Sequence, residues 1–200
     1  MSLSKAVLED LYQQQKLSMA EIAMRLGCSP HKVVYWMNKH GIRRRDIREA
    51  IYRWHNPSGD PFDIRPVRTP EDLELLHIAI GLYVGEGSRK RTSEVSVANS
   101  DPRVICAFIR FLRDICGVDQ ADMFAIVHMY DDVELAFVQH FWEETTGLAH
   151  SQFHKPTIKP RRGGTYKARS RYGTVTVGVY STKLHQIIQN WCNDFLNKQR

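Results

Sequence analysis

The stretch IGLYVGEGSRK, from Ile80 to Lys90, places a lone carboxylate, Glu86, after an apolar run broken by glycines and just before a turn to base. Upstream, Thr69-Pro70-Glu71-Asp72 is a helix start, with threonine as N-cap and proline in the first turn. A helix opened there reaches about Gly85, so Glu86 falls at its carboxyl end. Free carbonyls and the negative pole of the helix dipole make that a poor place for an anion. A carboxylate and carbonyl oxygens converging at one point suit a hard divalent cation such as Mg2+. The rival reading is a surface glutamate paired with Arg89 or Lys90.

The glycines need their own explanation. A helix apolar on every side, as this one is from Leu75 onward, must be buried on every side. Gly81 in its interior costs roughly 1 kcal/mol relative to alanine, so something must offset it. Gly81 and Gly85 stand four apart on one face and clear a strip where a second backbone can approach. The chain holds no second copy of the pattern. The natural mate is therefore the same helix of another subunit in a two-fold homodimer; the alternative is one of the chain's own helices crossing there. In the dimer both copies of Glu86 meet near the axis, which strengthens the case for a cation.

Two basic segments suit a polyanion. KPTIKPRRGGTYKARSRYG (Lys155 to Gly173) carries seven Lys and Arg and no acid. It reads as the loop of a hairpin between strands at 157–159 and 174–180. Arg161, Arg162, Lys167, Arg169 and Arg171 would contact phosphates there, unless the loop is simply solvated; Arg89 and Lys90, beyond Glu86, are expected to contact the same polyanion. The second segment lies near the N-terminus. A first helix carries Leu3, Val7, Leu8 and Leu11 on one face. Ser18 and Glu21 form a capping box, Gly27 stops that second helix, and Ser29-Pro30 opens a third. This is a helix-turn-helix pattern, with Val33, Val34 and Met37 inward. His31, Lys32, Tyr35, Trp36 and Lys39 face outward to reach phosphates and base edges. Arg43, Arg44 and Arg45 follow as a basic arm. The plain alternative is a three-helix bundle with a basic surface and Trp36 packed inward.

Composition supports a polyanion partner. The net charge is +6 and pI about 9.2, and the charge is segregated. Asp114 to Glu144 holds eight acids and no Lys or Arg; Thr145 to Asn193 holds eight Lys and Arg and no acid. The four cysteines are far apart, with no CxxC pair, which argues against zinc or a disulfide framework and fits a reducing cytoplasm, at the nucleoid in a bacterium. No signal peptide or membrane-spanning run is visible, so no membrane partner is expected. HNPSGDPFDIRPVR marks a linker at 55–68 between an all-α domain at 1–54 and a mixed α+β domain at 69–200.

AIGLYVGEG (Ala79 to Gly87) resembles the LAGLIDADG motif of homing endonucleases. Gly81-Leu82 match its central pair, Gly85 its small residue and Glu86-Gly87 its closing acid and glycine; Val84 replaces its first acid. VSVANSDPRVICAFIRFL (Val95 to Leu112) is similar to the strand-then-helix continuation. The resemblance, over about 70–198, implies a saddle of antiparallel strands laid on double-stranded DNA, two central motif helices, and homodimers in single-motif members. It also implies Glu86 as the Mg2+ ligand for phosphodiester hydrolysis. The family's basic residue near the scissile phosphate has no motif match here; Lys167 is the candidate, with Lys183 as the alternative. Regulators that keep this fold without cleavage, and maturases acting on RNA, are the alternatives it brings.

Overall fold

Capping chemistry sets the helix starts. In the computed structural model, which describes residues 2–46, 49, 51–52, 54, 56–57, 59–88, 93–160 and 171–197, Ser18 and Glu21 cap one another. Glu21 N donates to Ser18 Oγ at 3.2 Å, and Ser18 N donates to the Glu21 carboxylate at 2.7 Å. The chain divides into two compact units, Met1–Gly59 and Asp60–Arg200.

The first unit contains α1 (Lys5–Glu9), prolonged by a π-helical turn (Asp10–Gln14), then α2 (Met19–Arg25) and α3 (Pro30–Lys39). Gly27, at φ +61°, makes the tight turn between α2 and α3. Leu8, Leu11, Tyr12, Ile22, Ala23, Val33, Met37 and Ile42 form its core. Val34, expected inward, is only half-buried.

The second unit is mixed α+β. Its helices are α4 (Pro70–Glu86), α5 (Pro102–Arg110), which runs on into a π-helical turn (Phe111–Ile115), α6 (Leu135–Thr146) and α7 (Thr182–Asn197). Its strands are β1 (Val95–Asn99), β2 (Met123–Tyr130), β3 (Thr157–Lys159) and β4 (Thr174–Val179). They form one sheet in the order β1-β4-β2-β3. Alternate residues, among them Val95, Val97, Ala125, Val127, Val175 and Val177, point into the core shared with Tyr83, Phe108 and Trp142.

The topology departs from an antiparallel saddle in two ways. β2 and β3 are parallel, so the sheet is mixed. β3 and β4 are also not partners, because β2 lies between them. The basic segment therefore does not join two paired strands as a hairpin loop would. Val175, Val177 and Val179 are all buried, and β4 is flanked by β1 and β2. The three residues of β3 are exposed, as befits an edge.

The linker is shorter than its prolines suggested. Asp63 N donates to Cys116 O at 3.1 Å, and Arg65 N to Ile115 O at 2.9 Å. Phe62 and Ile64 pack on the second unit's core, so this segment docks on that unit. Gly117 makes the docking possible: its φ is +63°, and any side chain there would strike the Asp63 backbone. Gly117→Ala should destabilise the protein by at least about 2 kcal/mol, read as a lower urea midpoint. An unchanged midpoint would mean that Asp63 does not dock.

Candidate functional site

α4 has two unlike faces. Leu75, Ala79, Ile80 and Tyr83 are buried, and the Tyr83 ring stacks on Phe108 with centroids 6.3 Å apart. On the other side His77, Ile78, Gly81, Gly85 and Glu86 are exposed, Ile78 at 46%. A Cβ placed at Gly81 or Gly85 would meet nothing within 4 Å. Of the two partners expected for this strip, one of the chain's own helices is thus absent among the described residues. The strip is open in the single chain, although its helix is apolar enough to be wholly buried.

The end of α4 is fixed to the sheet. Gly87 N donates to Tyr83 O at 2.9 Å, and Ser88 N to Ser96 O at 3.0 Å. Gly87 also forms an antiparallel bridge with Val97. The Tyr83 hydroxyl donates to Ser88 O at 3.1 Å. A side chain at 87 would collide with the Tyr83 carbonyl and ring, so glycine is required for this close approach. Glu86 therefore sits where the helix meets the β1 edge. No group of three or more His, Cys, Asp or Glu able to hold a metal occurs among the described residues. Within one chain Glu86 offers a single carboxylate.

The sheet face away from the helices carries polar and aromatic residues that sequence reading did not single out. His128 Nε2 lies 2.8 Å from Thr176 Oγ1. Phe124 stacks on Tyr180 at 4.4 Å and on His154 at 5.2 Å. The buried Glu94 carboxylate accepts a 3.2 Å bond from Ser96 Oγ. The signal was present in MFAIVHMY, whose alternation puts Phe124, Ile126, His128 and Tyr130 on one face.

Of the basic segment, Arg161, Arg162, Lys167 and Arg169 lie outside the described residues, as do Arg89 and Lys90. Arg171 is placed. Its guanidinium lies 5.1 Å from the Phe137 ring centroid and 5.7 Å from that of Tyr172. Tyr172 stacks on Phe141 at 3.6 Å, and its carbonyl accepts from Trp142 Nε1 at 2.7 Å. α6 thus grips the downstream foot of the basic segment. Lys183 pairs with Asp60 at 2.9 Å, which accounts for its position without a reacting group.

In the first unit, His31, Tyr35 and Lys39 are exposed along α3, and Lys32 is half-exposed. Trp36, expected outward, packs against the core and stacks on His40 at 5.5 Å, with Lys39 Nζ 4.8 Å from its ring. Arg43 and Arg44 are exposed. Arg45 differs from its expected place in the basic arm. Its guanidinium lies 4.1 Å from the Tyr12 ring centroid and donates to Tyr12 O and, at 3.1 Å, to Leu17 O. Its amide donates to the Tyr12 hydroxyl at 2.8 Å. Arg45 therefore anchors the arm, leaving Arg43 and Arg44 outermost.

No protein-family model, curated protein or solved structure matches this chain. No described helix is long and apolar enough to cross a membrane.

Burial, and secondarily the nearby Lys159, lowers the His128 pKa below its usual value. The folded state then disfavours the imidazolium, so the unfolded chain takes up the proton first as pH falls. The stability this group contributes is full above about pH 6.5 and is lost below it. Denaturant midpoints at pH 7.5 and 5.5 should differ less in His128→Gln than in the native chain. Equal pH dependence in both would show that His128 is not held neutral.

Proposed function

We propose that this chain is a site-specific DNA-binding protein that works as a homodimer of LAGLIDADG type, with an N-terminal helix-turn-helix and Mg2+-dependent endonuclease activity. The observation that carries the reading is the open Gly81–Gly85 strip of α4, which ends on Glu86 at the sheet edge. A second copy of the strip covers the first and brings two carboxylates together. The exposed His31, Tyr35 and Lys39 of α3 with Arg43 and Arg44, and Arg171 at the foot of the basic segment, supply contacts to DNA.

The donor set fits Mg2+ only as a pair. One carboxylate is too few, whereas two, with carbonyls from two helix ends, offer the oxygens this ion prefers. Glu86 from each subunit would hold it. When bound, the ion supplies a water acidified for attack on phosphorus and a counter-charge for the leaving oxygen. The chain's own part is to fix the carboxylate through the Tyr83–Gly87 contact and to hold the duplex against the axis. Glu86 belongs to no group of three or more potential metal ligands among the described residues, which favours a second reading: a regulator that binds DNA without cutting it.

Incubation with randomised duplexes, with Mg2+ or with EDTA, separates the two. Metal-dependent double-strand cuts, reduced at least a hundredfold by Glu86→Ala, are expected of the nuclease; retention of specific duplexes without cuts at any metal concentration would leave only the regulator. The pairing has a test in which folding and association move oppositely. Gly81 faces open space, so Gly81→Leu should leave the fold intact and gain up to about 1 kcal/mol of helix propensity. The same change should abolish the dimer in analytical ultracentrifugation. A leucine variant that stays dimeric would refute the pairing.

A further inference from the structure

The first unit contains a cleft of about 640 Å³ lined by Tyr12, Gln13, Lys16, Arg43, Arg44, Arg45, Asp46 and Glu49. Lys16 follows the first helical segment and the arginines lie in the arm beyond α3, so stretches distant in sequence share the lining. The lining holds four cations and two acids, a net +2. Among the described residues Lys16, Arg43 and Arg44 have no ion pair. Arg45 directs its Nη2 to Tyr12 O and Leu17 O and contributes charge and a flat guanidinium surface. The volume lies in the range of small-molecule sites and well above what a monatomic ion needs.

With four cations against two acids the lining keeps a net positive charge; the excess cations repel one another, and a multiply charged anion relieves that repulsion. The three available side chains carry ammonium and guanidinium donors, and guanidinium forks match phosphate oxygens. We propose that this cleft binds a phosphate-bearing ligand through Lys16, Arg43 and Arg44, with Arg45 on Tyr12 as its floor. The phosphate can belong to a diffusible di- or polyphosphate or to the backbone of bound DNA. Only the second source rests on the DNA-binding reading above.

The two sources are separated in the full-length protein by calorimetric titration with inorganic pyrophosphate and by duplex binding over a range of salt. Both are run on the native chain, the double variant Lys16→Gln/Arg44→Gln, and Lys39→Gln on α3. These side chains are solvent-facing, and unchanged circular dichroism and thermal midpoint verify folding. A diffusible ligand predicts saturable pyrophosphate binding that weakens at least tenfold in the double variant and is untouched by Lys39→Gln. A DNA phosphate predicts no pyrophosphate binding but a salt slope lower by about 1.8 in the double variant, at about 0.9 per phosphate contact. Pyrophosphate binding without any duplex binding keeps the cleft and removes the DNA reading. A double variant indistinguishable from the native chain in both titrations overturns the proposal.

Discussion

The contact between Tyr83 and Gly87 is the constraint on which the second unit's geometry depends. Tyr83 is buried against Phe108, accepts the closing bond of α4 through its carbonyl, and reaches past the helix end to Ser88. Gly87 must lack a side chain to lie against it. Together they end α4 at a fixed point on the β1 edge and so decide where Glu86 stands. The inner face of α4 supplies the burial that holds this junction, which leaves the outer face free to carry glycines. Burial and exposure are thereby divided between two sides of one helix.

The basic elements follow the same division. In each unit an aromatic packed on or in the core lies beside an arginine: the buried Tyr12 beside Arg45, and the half-buried Tyr172, stacked on Phe141, beside Arg171. In the first unit the guanidinium nearest the core is committed to packing and the next cations outward are left exposed. Arg45 against Arg43 and Arg44 is the clearest case. An arginine run thus contributes one anchoring residue and two that can meet an anion.

Much of this was legible in the sequence because it rests on local chemistry. Ser18 with Glu21, Ser29 with Pro30 and Thr69 with Asp72 cap their helices as their types and spacing imply. Gly81 and Gly85 marked the face of α4 where a second backbone was expected, and in the single chain that face is open. Strand order was not: TVTVGVY does not say that β4 takes the centre and β2 separates it from β3, because register and neighbour choice are settled by non-local burial. Arg45 could not be told from Arg43 and Arg44, since only the fold brings Tyr12 beneath it. The docking of Phe62 and Ile64 was hidden by prolines that mark a linker locally. His128 and its partner Thr176 lie 48 residues apart and meet only through β2–β4 pairing.

The central claim is that two copies of α4 meet along the glycine strip and bring their Glu86 positions together. Replacing Glu86 by cysteine and applying mild oxidation tests it most directly, because a disulfide forms only when the two Cα atoms come within about 7 Å. The native cysteines are buried or half-buried, and the native chain under the same oxidation is the control. A disulfide-linked dimer specific to Glu86→Cys, reversed by reductant, is the result the account predicts. A Glu86→Cys protein that stays monomeric on a non-reducing gel, under conditions in which the native chain sediments as a dimer, would contradict it.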